Sequence, residues 1–356
     1  MAEQRFCKAK VGGSTPLLGS NCMANKSVIG VGLICGAIGI LVGWGATHFF
    51  IDRTSSGDIF YGESRASGYK LINPLLECQT GEGEQPKELS IFKQAIVEEV
   101  ARRKNERIKH ISVYFRDLNN GPWFGVDEQE KFIPASLLKV PIMLAAYKEQ
   151  EKDPGFFGKK VRYAGESSGD NQNIVSGDEL KVGEIYTTRE LMRRMIQNSD
   201  NRALTTLSGT LPDAAFSRVM EDFGIPLPTS TISDFIGVHR YAGFFRILFN
   251  ASYLSRAASE DALEILSESK FKDGLVAGVP KDITVAHKFG ERTLVTDTQA
   301  LLGRQLHDCG IVYYPGRPYL LCVMTRGTDY TEMADVIRDI SDLTYREVDR
   351  QMRDKD

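Results

Sequence analysis

The chain has 356 residues, of which 42% are hydrophobic and 26% charged, with a net charge of −3 at pH 7. It is too long for one small domain and suits one large folded unit with appendages. The charge balance gives no electrostatic basis for binding nucleic acid. The 5 histidines stand in no metal-ligand spacing, and neither H-E-x-x-H nor C-x-x-C occurs, so no metal or other cofactor is implied.

Residues 1–26 are polar, with Gly12-Gly13-Ser14-Thr15-Pro16, and read as a disordered cytoplasmic tail. From Val28 to Ile51 there is no Asp, Glu, Lys or Arg. At ~1.5 Å rise per residue such a run crosses a ~30 Å hydrocarbon core with room for tilt. Arg5, Lys8, Lys10 and Lys26 precede it, and this basic bias puts the N-terminus in the cytoplasm. Residues 27–51 are therefore expected to be an uncleaved, single-pass anchor in the inner or plasma membrane, with the rest of the chain extracytoplasmic. A cleaved signal peptide is the competing reading, since Gly45-Ala46 offers small residues. Gly32/Gly36 and Gly39/Gly43 form two Gly-x-x-x-Gly pairs, which point to a homodimer through the transmembrane helix. Residues 52–86 are rich in Gly, Ser and Glu and read as a linker, in part ordered against the domain through the apolar patch Lys70–Leu76.

The folded domain is expected over 87–356. Helical periodicity runs from Glu88 to Arg107, followed by a strand at His110–Leu118, a turn at Asn119-Asn120-Gly121 and a strand at Trp123–Val126. A helix opening near Ser136 runs to about Glu151. Helices are expected at Thr188–Gln197, Asn201–Ser208, Asp213–Phe223, Val238–Asn250 and Ser259–Glu268. Strands return at Asp282–Lys288, Cys309–Tyr314 and Pro318–Thr325, before a last helix over Thr331–Arg350. Strands at both ends with helices between them describe an α+β unit: an antiparallel β-sheet with flanking helices plus an all-helical subdomain, preceded by one transmembrane helix. A hairpin turn between Pro315 and Gly316 sets Cys309 opposite Cys322, either as a disulfide in an oxidising compartment or as two buried thiols.

Three short motifs carry chemistry. In Pro134-Ala-Ser-Leu-Leu-Lys-Val-Pro141, Ser136 and Lys139 stand three apart and share a helix face, a hydroxyl beside an amine at a helix N-terminus. Taken alone, the pair also reads as a helix cap beside a solvated lysine. Ser199-Asp200-Asn201 is a natural N-cap sequence. Lys288-Phe289-Gly290 ends a strand, with Gly removing a side chain where a ligand's backbone could lie close.

In this order, on helix start, helix cap and strand end, the motifs resemble those of the active-site serine penicillin-recognising enzymes, most closely the class A β-lactamase catalytic domain, from about Lys87 to the C-terminus. The resemblance implies a serine hydrolase in which Ser136 forms an acyl-enzyme, Lys139 takes its proton and Ser199 relays a proton to the leaving nitrogen. Asn201 and Lys288 would bind the substrate's amide and carboxylate. Gly290 would leave room for it, and the backbone N–H groups of Ser136 and Arg292 would form the oxyanion hole.

Two departures stand out. Phe289 occupies the place of a substrate-binding Thr or Ser, and no Glu-x-x-Leu-Asn follows Ser-Asp-Asn. Asp234, the one acid between Asp222 and Glu260, becomes the deacylation candidate. The expected partner is a small-molecule β-lactam or a peptidoglycan stem peptide. Alternatives to a membrane-anchored β-lactamase-like hydrolase are a peptidoglycan D,D-peptidase or transpeptidase, and a sensor that acylates without turnover.

Overall fold

The computed structural model describes residues 59–65, 68–82, 87–119, 121–165, 174, 180–229, 233–296, 298 and 300–354. The expected tail and membrane anchor, residues 1–51, lie outside them. Among the described residues no helix is long and apolar enough to cross a membrane.

Five antiparallel strands form the central sheet: β3 (Ile108–Asp117), β4 (Trp123–Val126), β7 (Val285–Val295), β8 (Leu301–Val312) and β9 (Tyr319–Gly327). Their order is β4-β3-β9-β8-β7, so strands from both ends of the domain meet at its centre and β7 is left as an edge. Alternate side chains sort to opposite faces. Ile111, Val113 and Phe115 of β3 join Leu321 and Val323 of β9 in one cluster with helices α1 (Lys87–Arg103) and α8 (Tyr330–Arg353). Tyr114, Leu320, Cys322 and Met324 face a second cluster, built with α2 (Lys139–Lys152) and the helical half of the chain. That half comprises α3 (Thr188–Gln197), α4 (Asn201–Ser208), α5 (Ala215–Asp222), α6 (Val238–Phe249) and α7 (Arg256–Ser267), with a short hairpin of β5 (Lys160–Arg162) and β6 (Ile185–Thr187). The α+β architecture with a helical subdomain is as expected. Cys309 and Cys322 are register partners, joined by a disulfide across β8 and β9. The turn between these strands has Gly316 at φ 72°, a left-handed conformation that glycine adopts without a Cβ clash.

Two expectations are corrected. The helix expected to open at Ser136 is instead a 3-10 turn, Ala135–Leu138, that passes into α2 without a side-chain cap. Lys288-Phe289-Gly290 does not end a strand: β7 continues to Val295, and β8 starts at Leu301 rather than Cys309. Polar residues along this extension hide it, because one end of the hairpin faces solvent. The partly ordered linker also holds a hairpin, in which β1 (Ile59–Arg65) pairs with β2 (Leu75–Glu82). Between them the backbone N–H groups of Lys70, Leu71 and Ile72 donate to the Glu260 carboxylate, at 3.1, 2.9 and 2.9 Å. Leu71 and Ile72 are buried, so ordered structure packs onto the domain well before Lys87.

Candidate active site

The 3-10 turn carrying Ser136 lies against the free edge of β7. A Cβ on Gly290 would come within 2.8 Å of the Pro134 carbonyl oxygen and 3.0 Å of Leu137 N, so only glycine lets strand and turn approach this closely. Ala135, just before the serine, sits at φ 49°, left-handed for a residue with a side chain. Ser136 is half-buried, whereas Lys139 is 1% exposed. The helix-cap and solvated-lysine reading therefore fails on both counts.

Asp200 is the cap of α4, accepting from the N–H groups of Arg202 and Ala203. That frees the residues beside it. Ser199, at φ 56°, turns its side chain off the helix and is buried at 1% exposure. Lys139 Nζ lies 3.0 Å from Ser136 Oγ, 3.1 Å from Ser199 Oγ and 2.6 Å from Asn201 Oδ1, and it also bonds the Ser199 carbonyl. An ammonium has three hydrogens. With four oxygen neighbours, Lys139 shares them or, as a neutral amine, accepts the hydrogen of Ser136.

Lys288, fully buried, donates to Ser199 Oγ at 3.0 Å and to the Phe289 carbonyl at 2.8 Å. Burial is the largest cause pushing its pKa well below the ordinary lysine value. Lys139 lowers it further, while Asp308 and Glu291 oppose the shift. Ser199 Oγ thus lies between two lysine nitrogens. With both lone pairs accepting, what it has left to offer a leaving group is its hydrogen.

The Phe289 side chain offers this cleft no hydrogen-bonding group, and its ring centre lies 4.1 Å from Lys288 Nζ. The ring is buried in the cluster beneath α1 and α8, stacked on Phe271 at 4.4 Å. Thr293, the nearby hydroxyl, is bonded to Tyr330 Oη at 2.8 Å. Arg292 lies further along the same β7 edge, half-buried and opposite Gln305. Asp234, the candidate for deacylation, sits on the loop before α6, and its carboxylate accepts from Gln305 Nε2 at 3.0 Å and pairs with Arg326 at 3.0 Å. Its charge is spent on the sheet rather than presented to Ser136.

The sequence reading missed the residues that grip the turn. Tyr241 of α6 donates to the Leu137 carbonyl at 2.9 Å, and Gln305 and His307 of β8 reach Ile133. Polar residues alternating with Leu306 in a strand are a readable signal once β8 is known to start at Leu301.

A sequence profile described as the β-lactamase enzyme family matches residues 92–348. No curated protein matches the sequence. Among solved structures, PBP-A superposes with a TM-score of 0.60 at 21% identity, covering 74% of this chain and 97% of its own. A point mutant of PBP-A is described as an acyl-enzyme complex with penicillin G; it matches with a TM-score of 0.60 at 22% identity, over 75% of this chain and 100% of that one. A β-lactamase from Chitinophaga pinensis superposes with a TM-score of 0.61 at 19% identity, over 72% of this chain and 99% of that one.

Proposed function

Since the chain belongs to the β-lactamase enzyme family, we propose that it is a membrane-anchored serine hydrolase that forms an acyl-enzyme on Ser136 with β-lactams or related D-Ala-D-Ala-type amides. The observation that carries this reading is the chain of contacts Ser136 Oγ–Lys139 Nζ–Ser199 Oγ–Lys288 Nζ, with separations of 3.0, 3.1 and 3.0 Å. Lys139 accepts the proton as Ser136 Oγ attacks the carbonyl carbon. The resulting oxyanion is met by the backbone N–H of Ser136 and that of Arg292 on β7. Ser199 passes a proton to the leaving nitrogen and is resupplied from Lys139. Lys288 provides positive potential for the substrate carboxylate, and Asn201, whose Oδ1 is held by Lys139, offers its amide N–H groups to the acyl side chain. The enzyme is placed outside the cytoplasm, held by residues 28–51. The disulfide between Cys309 and Cys322 supports an oxidising location.

A second reading follows from Asp234. With that carboxylate engaged by Gln305 and Arg326, Asp234 is not free to act as the general base that activates water on the acyl-enzyme. Loss of such a base slows a step by ~10²–10⁴-fold. A peptidoglycan D,D-peptidase or a sensor holding its acyl group fits that expectation. Nitrocefin discriminates the readings: steady turnover supports hydrolysis, whereas a single stoichiometric burst with a stable adduct on Ser136 supports the second. If a fluorescent penicillin labels Ser136→Ala as well as the unaltered chain, both fail.

A further inference from the structure

Ile133 is separated from Ser136 by only Pro134 and Ala135, and the left-handed Ala135 at φ 49° is a conformation that persists where surroundings over-determine it. Those surroundings are visible. The main chain of Phe132 is held by the loop before α6, donating to the Ile236 carbonyl at 3.0 Å and accepting from Phe235 N–H at 3.1 Å. Ile133 is held by side chains of β8. Its N–H donates to Gln305 Oε1 at 3.0 Å, and its carbonyl lies 2.9 Å from His307 Nε2. Both side chains are buried, at 1% and 0% exposure.

The chemistry of each contact is fixed by its neighbours. Thr325 N–H donates to His307 Nδ1 at 3.3 Å, so Nδ1 accepts and Nε2 carries the hydrogen given to Ile133. Burial brings the His307 pKa down to about 4, which keeps the imidazole neutral and in this tautomer at neutral pH. Asp234 accepts from Gln305 Nε2 at 3.0 Å, which turns the amide oxygen toward Ile133. Arg326 holds Asp234 in turn at 3.0 Å.

We propose that Gln305 and His307 are positioning residues for Ser136: they clamp both backbone polar groups of Ile133 and thereby hold the strained turn that presents Ser136 Oγ to Lys139. Asp234 and Arg326 form the outer part of this clamp. The proposal rests on Ser136 being the nucleophile. Small displacements of a nucleophile, on the order of 1 Å, cost about 10²-fold in rate.

The test uses the full chain with Gln305→Met and His307→Leu, which remove one clamp each, and with His307→Gln, which retains an N–H donor near Nε2. Hydrogen exchange is followed on the peptide 130–138, and acylation by a fluorescent penicillin is resolved into binding and bond formation. In the first two variants exchange in that peptide is expected to rise about 10-fold or more, with the rest of the chain unchanged. The acylation rate constant should fall about 10²-fold, and the binding constant should stay within about 3-fold. His307→Gln should recover most of the rate. Unchanged exchange overturns the proposal, as does faster exchange with an unchanged acylation rate or a His307→Gln variant no better than His307→Leu. If a variant does not fold, the remaining variants carry the same two readouts. If the unaltered chain is not acylated at all, the nucleophile assignment falls and the exchange result alone judges the clamp.

Discussion

Lys288 is costly to bury. Its ammonium is fully buried, and a second lysine lies one hydroxyl away, through Ser199. The folded-state pKa is below the unfolded one, so over the interval between them the unfolded chain binds a proton that the folded chain does not. Stability should therefore rise with pH as it climbs through that interval toward the ordinary lysine value, and fall again on acidification. Lys288→Met is expected to raise the thermal midpoint at pH 7, by the equivalent of about 1 kcal/mol or more, while reducing penicillin labelling of Ser136 by about 10²-fold or more. Thermal melts of the two chains from pH 7 to 10, run beside a labelling time course, check both halves. A lower midpoint for the variant would mean that Asp308 and Glu291 make the buried ammonium a net asset. His307 acts in the same direction at lower pH. Its pKa is lowered to about 4 by burial, so it stabilises the fold fully above about 6.5 and loses that contribution as pH falls through 4. The linked amount is about 3 kcal/mol. His307→Gln should flatten the acid limb of a urea-stability profile between pH 6.5 and 4.

The elements that carry the site were legible to very different degrees. Helices α3 and α4 match the sequence reading residue for residue, because each begins at a polar cap and keeps a periodic apolar face. The hairpin register was legible too, since Pro315-Gly316 fixes the turn and hence the Cys309–Cys322 pairing. What escaped was the polar end of the β7–β8 hairpin, where Glu291, Arg292, Thr293, Arg304 and Gln305 break the apolar pattern. There the strand is held by its ladder to β8 rather than by burial of every second residue. The loss carried over into the site reading: without β8 starting at Leu301, Gln305 and His307 could not be placed opposite Arg292 and Gly290. Asp234 was singled out by elimination along the chain, and elimination cannot see a salt bridge to Arg326 on β9. Gly290 leaves room for a ligand, and it is also room for the serine turn. Gly290→Ala should push β7 away from Pro134 and Leu137, lowering stability by about 1–3 kcal/mol and the labelling rate by about 10-fold or more. Labelling at the unaltered rate would mean that the turn and strand can separate without disturbing Ser136.

At the scale of the whole molecule, the catalytic domain starts earlier than its motifs suggest. The Glu260 carboxylate collects three consecutive N–H groups from residues 70–72, Tyr313 donates to the Leu71 carbonyl at 2.9 Å, and Asn73 N–H donates to the Phe249 carbonyl at 2.7 Å. The strap thus ties α6, α7 and the end of β8 together on the face that also holds the helical cluster. Leu71 and Ile72 are 3% and 4% exposed, and each fully buried aliphatic side chain contributes about 1.5–3 kcal/mol. Removing the strap also takes the Leu71 carbonyl from Tyr313 Oη, in surroundings where an unmet polar group costs about 1–3 kcal/mol. A chain beginning at Lys87 should therefore be less stable than one beginning at Gly68 by at least about 3 kcal/mol, read as a lower urea midpoint. Glu260→Gln should fall between them, because it keeps one carbonyl oxygen where two carboxylate oxygens served three donors. The strap's hydrogen-bond partners Glu260, Tyr313 and Phe249 are not residues of the cleft, so penicillin labelling per folded molecule should be equal in both chains. If the shorter chain is equally stable, residues 68–73 rest on the domain without supporting it. If it is stable but labels slowly, the strap reaches the serine turn through α6, whose Tyr241 holds the Leu137 carbonyl.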